Sequence, residues 1–176
     1  MLRDLEAAMA PWGLPYVYGE RPNLGILAAA ATWIKYVPFE EYSAEKGRGK
    51  SRRLGRADLW LSTKNGAKAF DFEAKYISPS FHSKKLAKTI QYHLDIAAQD
   101  ASDITYKADC TVAIVFVSPY GAIREDFHPD RFWDQLSDLK QYGGDLCAFH
   151  ICKPEIWGET DYYKDRPGIA IVGRCI

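Results

Sequence analysis

The chain has 176 residues and a mass of 19.9 kDa, the size of one domain. Hydrophobic residues at 47%, aromatics at 14% and charged residues at 26% exclude a disordered chain and supply enough bulk for a sizeable core. Lys plus Arg and Asp plus Glu number 23 each, which excludes a uniformly basic nucleic-acid coat.

At the N-terminus, Arg3, Asp4 and Glu6 interrupt any signal-peptide core. No apolar run approaches the length of a membrane span, so a cytoplasmic protein with no membrane partner is expected. Pro11, Gly13, Pro15 and Pro22 predict a short helix and then a loop over residues 1–22. Leu24 to Tyr36 is apolar almost all round and predicts a helix buried on most sides. Pro22 suits its first turn and Pro38 bars its continuation. Val37 to Ser43 reads as a strand, and the Gly- and Arg-rich stretch 46–55 as a loop.

Charge concentrates in that loop. Lys46, Arg48, Lys50, Arg52, Arg53 and Arg56 occur with no acid among them, leaving 17 basic against 23 acidic residues elsewhere. A local positive patch can attract a polyanion even when net charge is nil; a solvated surface loop is the plainer reading.

Arg56 to Thr63 predicts a strand, Asn65-Gly66 a tight hairpin turn, and Ala67 to Ile77 the returning strand. Ser83 to Ser102 places Leu86, Ile90, Leu94, Ala97 and Ala101 at a helical period. Cys110 to Val117 is continuously apolar, as a strand buried on both faces would be. Pro129 to Tyr142 predicts a helix ended by Gly143-Gly144, and Leu146 to Cys152 and Ile169 to Val172 two short strands. The order predicts one domain over 1–176: an α/β fold with a mixed central sheet flanked by helices.

Cys110, Cys147, Cys152 and Cys175 include no CxxC pair. Cys147, His150 and Cys152 are close in sequence, but their stretch reads as a buried strand rather than a zinc site. His82, His93, His128 and His150 are scattered, and no phosphate loop or dinucleotide fingerprint occurs.

The hairpin carries the chemistry. On its second strand Asp71, Glu73 and Lys75 alternate with Phe70, Phe72, Ala74 and Tyr76, so the charged set should share one face and the aromatics the other. Carboxylates in an apolar sheet are costly to bury unless they hold a cation. Folding about Asn65-Gly66 brings Asp58 to the same end of the sheet as Glu73 and Lys75. Oxygen ligands from Asp58 and Glu73 suit a hard divalent ion such as Mg²⁺, and Lys75 could stabilise charge developing on a phosphate. Cross-strand ion pairing on an exposed face is the competing reading.

Asp58, followed after fourteen residues by Glu73-Ala74-Lys75, resembles the PD-(D/E)XK nuclease superfamily, and Gly55-Arg56-Ala57-Asp58 is similar to the first half of its motif. The resemblance covers about residues 20–118, with residues 129–176 added to the same domain. It implies a restriction endonuclease-like core and a Mg²⁺- or Mn²⁺-dependent endonuclease acting on DNA. Asp58, Glu73 and the Ala74 carbonyl would hold the metal, and Lys75 would be the catalytic lysine. Members often add a helix Glu, for which Glu20 is the nearest candidate and Glu40 and Glu41 are rivals. Some place a Gln on the following helix, which Gln91 could match within a stripe of Lys84, Lys88, Gln91 and Asp95. Arg48, Lys50, Arg52, Arg53 and Arg56 would contact the nucleic-acid backbone. A homodimer or larger protein partner is expected for action on a duplex. The alternative is a nuclease-fold module that binds nucleic acid or protein without catalysis.

Overall fold

The run Cys110–Val117 forms strand β4, and every residue after Cys110 in it is buried because helices cover both of its faces. Around it the computed structural model describes residues 14–47, 49–104, 108–121, 129–138, 142–151 and 168–176. A 3₁₀ turn at Pro15–Tyr18 precedes helix α1 (Glu20–Trp33). Then come β1 (Tyr36–Lys46), β2 (Arg53–Thr63), β3 (Ala69–Ile77), α2 (Leu86–Ser102), β4, α3 (Pro129–Ser137), β5 (Leu146–Ile151) and β6 (Gly168–Cys175). The expected α/β architecture is present, with six strands in the order β1-β2-β3-β4-β6-β5. The pair β3/β4 is parallel, with α2 as its crossover, and the remaining pairs are antiparallel.

The two faces of the sheet have separate cores. On one, Leu24, Ala28 and Ala31 of α1 pack on Leu59, Leu61, Phe70, Phe72, Ala74 and Ile114. On the other, Leu86, Ile90 and Leu94 of α2 pack on Ile77, Val115 and Val117, with Phe132, Trp133 and Leu136 of α3 closing the far side. The α2 residues are those its 3.6-residue period selects.

Several boundaries differ from the sequence reading. Helix α1 starts at Glu20, not Leu24, and only one stripe of it is buried; Trp33 is 70% exposed. Its N-cap, Gly19, has no side chain to cap with, so the start leaves little trace in sequence. Instead the buried Asn23 amide donates to the carbonyls of Tyr16 at 2.9 Å and Gly19 at 2.6 Å, tying the helix to the preceding 3₁₀ turn. Helix α2 starts at Leu86 rather than Ser83, and α3 ends at Ser137 rather than Tyr142. The hairpin turn is longer than two residues, with Thr63 N–H donating to the Lys68 carbonyl and Gly66 at φ +68°. Strand β5 lies at the sheet edge with Leu146, Phe149 and Ile151 exposed, so it is not a buried strand. Of the stretch 1–22, expected to be a short helix and then a loop, residues 1–13 lie outside the described residues, as do Arg48, His128 and Cys152.

A further departure lies at the two ends of the stretch expected to be a loop. Strand β1 continues to Lys46 and β2 begins at Arg53, so the two ends of the basic segment, Lys46 and Arg53 to Arg56, lie in a long two-stranded ribbon. Its tip is a 3₁₀ turn at Gly49–Ser51.

Candidate active site at the fork between two strands

Strands β2 and β3 pair from Ser62↔Ala69 to Leu59↔Phe72 and then part. The next opposed residues are Asp58 and Glu73. Where a ladder bond would continue, the Ala74 N–H donates to Asp58 Oδ2 at 2.7 Å. The carboxylate thus holds the fork open while satisfying the backbone donor that the missing pair exposes. In an extended strand the N–H and C=O of one residue point to the same edge, so the Ala74 carbonyl also points into the fork.

The β1/β2 register is continuous except at one place: Glu40 pairs with Leu59 and Tyr42 with Ala57, but Glu41 and Asp58 form no bridge. Glu41 is in the left-handed region at φ +47°. Side-chain alternation reverses there. Leu59 packs with α1, whereas Ala57 packs with Ala44 and Ile104 beyond the end of α2. Beyond the reversal, Tyr42, Ala44 and Lys46 of the ribbon turn toward the face that carries Asp71, Glu73 and Lys75.

The expected sharing of a face by Asp71, Glu73 and Lys75 holds, and each residue has a different partner. Asp71, 2% exposed, accepts from the Tyr42 hydroxyl and, at 3.2 Å, from the Ala108 N–H, so it anchors structure. Burial, then the bond to Asp71, pushes the Tyr42 phenol well above its ordinary pKa. Glu73 accepts from Lys46 Nζ at 2.6 Å. Lys75 Nζ meets Asp100 Oδ2 of α2 at 2.9 Å.

Electrostatic influence joins these groups into one cluster. Burial raises the Glu73 carboxyl to about 7; the Lys46 bond opposes this, and the Asp58 charge adds to it. Burial followed by Asp58 raises Glu20 as well, with Lys75 and Arg21 opposing. Glu20 therefore stands near Asp58 and Lys75 from the first turn of α1, whereas Glu41 is engaged by Arg21 and Arg56, each at 2.8 Å. Burial disfavours the charged Lys75, but the hydrogen bond to Asp100 and the charges of Asp100, Glu20 and Asp58 outweigh it and raise its pKa. On α2, burial and then Lys75 lower the His93 pKa, which puts His93 beside the cluster.

The helix stripe does not border the site as expected. Gln91 is exposed and bonds to none of these residues, and Asp95 pairs with Arg174 of β6 at 2.8 Å. The helix contributes Asp100 in its place. The sequence offered no signal for Asp100 or Tyr42 beyond their polarity, and marked Lys46 only as the first cation of the basic stretch. Of the ribbon's cations, Lys46 points into the site, Arg56 is held by Glu41, and Arg52 lies 3.5 Å from Glu45. Lys50 and Arg53 form no ion pair among the described residues.

Asp58, Glu73, Glu20 and the Ala74 carbonyl are hard oxygen donors, the set a Mg²⁺-like ion takes when it keeps several waters. The repulsion by which Asp58 raises Glu20 and Glu73 would be relieved by such an ion. Among the described residues, no three His, Cys, Asp or Glu side chains close around one point in this arrangement. Lys46 occupies one oxygen of Glu73. Comparison with protein-family models, with curated proteins and with solved structures finds no match to this chain.

Proposed function

We propose that this protein is a divalent-cation-dependent nuclease that hydrolyses phosphodiester bonds in DNA. The supporting observation is the convergence of Asp58, Glu73 and Lys75 at the fork between β2 and β3, with Glu20 and Asp100 beside them. Asp58, Glu73 and the Ala74 carbonyl would hold the cation, with Glu20 reaching it from α1. When bound, the cation neutralises phosphate charge and acidifies water. Lys75, fixed by Asp100, presents a positive charge to the phosphoryl oxygens as negative charge grows on them. Water adds to phosphorus and gives up a proton to solvent, the bond to the leaving oxygen breaks, and that oxygen takes a proton from solvent. Lys50 and Arg53 meet phosphates directly, and Arg52 and Arg56 exchange Glu45 and Glu41 for them.

Supercoiled plasmid with Mg²⁺ or Mn²⁺ tests this reading. Wild type should nick it and a chelator should stop it, whereas Glu73→Ala should be inactive with its circular dichroism intact. Equal cleavage by wild type and Glu73→Ala ends the proposal. The Lys46–Glu73 pair favours one second reading, a nuclease-fold module that binds nucleic acid or protein without cleaving. It predicts no heat of Mg²⁺ or Mn²⁺ binding and no nicking with retained binding of a partner.

A further inference from the structure

Lys46 is the site residue that neither the motif nor the proposed chemistry requires. Its Nζ lies 2.6 Å from Glu73 Oε1, and the two side chains are 13% and 3% exposed. Three features hold it there. The Gly47 N–H donates to the Asp103 carbonyl at 2.7 Å, Lys46 bridges to Ile104, and Ala44 and Ala57 pack on Ile104. The ribbon backbone is thus pinned to the end of α2. Gly55, across the ribbon, leaves room for the stem: a Cβ there would lie 3.1 Å from Lys46 Cδ and 3.3 Å from Cγ. Lys75 is differently employed, since its ammonium rests on Asp100.

We propose that Lys46 is an internal counter-cation on Glu73, which a divalent cation must displace before it can bind at the fork. The inference rests on the nuclease reading and adds how access to that site is controlled. A buried carboxylate with no counter-charge, beside Asp58, is strongly unfavourable, and Lys46 supplies that charge in the metal-free protein. An ammonium and a divalent ion on the same carboxylate oxygen would repel at short range in a poorly hydrated setting. The lysine's flexible four-carbon stem allows the ammonium to leave while the ribbon backbone stays pinned. The ribbon also carries Lys50, Arg52 and Arg53 toward its tip.

Calorimetric titration of Mn²⁺ into wild type and Lys46→Met tests the proposal. The variant should bind at least about tenfold tighter, because it no longer loses an ion pair on binding. Unchanged or weaker binding by a folded variant overturns the displacement idea and leaves the nuclease reading standing. Absence of any Mn²⁺ heat in both proteins overturns the two together. Should Lys46→Met not fold, wild type alone decides: amine labelling of Lys46, read by mass spectrometry, should rise several-fold at Mn²⁺ saturation. Constant labelling while heat reports binding overturns the proposal.

Discussion

Asp58 and Glu73 stand opposite each other at the first position where β2 and β3 no longer pair, and the Asp58 carboxylate takes the Ala74 N–H at 2.7 Å in place of a ladder bond. The Asp58 charge adds to the burial that raises the Glu73 carboxyl. Asp58→Asn keeps an acceptor for Ala74 and removes a charge. Its thermal stability should equal or exceed wild type by up to about 1 kcal/mol, while cleavage falls by about 10²-fold or more. Scanning calorimetry and plasmid nicking, run side by side, check the two halves. A large loss of stability would show that the charge itself holds the fork.

Glu73 gives the metal-free protein a defined pH dependence. Its folded pKa of about 7 lies above the ordinary 4.5, so the folded state binds more protons between those values. That contribution to stability is full below pH 4.5 and fades as pH rises through 7. The upper bound is about 3 kcal/mol. Urea titrations in chelator across this range should show stability falling with pH, and Glu73→Gln should flatten the trend. A wild-type profile as flat as the variant's would contradict this assignment.

Asp100 positions Lys75 through the 2.9 Å ion pair. Because Asp100 is partly exposed, Asp100→Ala should cost less than about 1 kcal/mol of stability. The ammonium then loses its fixed position, so kcat should fall about tenfold to a hundredfold with KM little changed. Single-turnover kinetics separates this from a binding defect, and a rise in KM alone would reject it.

Lys50 and Arg53, which form no ion pair among the described residues, make a salt-dependent prediction. If Lys50 and Arg53 each meet a phosphate, the double alanine variant should lower the slope of log affinity against log salt by about two. Fluorescence anisotropy with labelled duplex, in chelator so that nothing is cleaved, measures it. An unchanged slope would place the nucleic acid elsewhere.

Cys110 and Cys175 bring their sulfurs to 3.4 Å at the start of β4 and the end of β6. Diamide should oxidise the two thiols to one disulfide with loss of two hydrogens, closing a long loop and raising stability by about 3 to 4 kcal/mol. Intact mass and a thermal melt report it, and Cys175→Ser should abolish both changes. Failure of wild type to lose two mass units would show that the thiols cannot reach bonding geometry.

Much of this arrangement was legible in the residues. The uninterrupted apolar run of β4 and the strict alternation along β3 leave little choice of face, and hairpin connectivity puts Asp58 near Glu73. What escaped has a physical reason in each case. Helix α1 begins at a glycine and is capped from within by Asn23, so Glu20 looked like a loop residue. The basic stretch looked like a loop throughout because Gly and Arg dominate it, yet Lys46 and Arg53 to Gly55 at its ends pair as strand. Asp100 and Lys46 reach the site only through tertiary packing, which no local spacing encodes.

The left-handed residue at Glu41 turns the ribbon's inner side outward partway along its length. Inside and outside therefore depend on parity there. With ordinary extended backbone at Glu41, alternation would present Ser43 and Glu45 to the fork and carry Lys46 out into water. The side on which Lys46 lies is thus decided at Glu41, five residues before it.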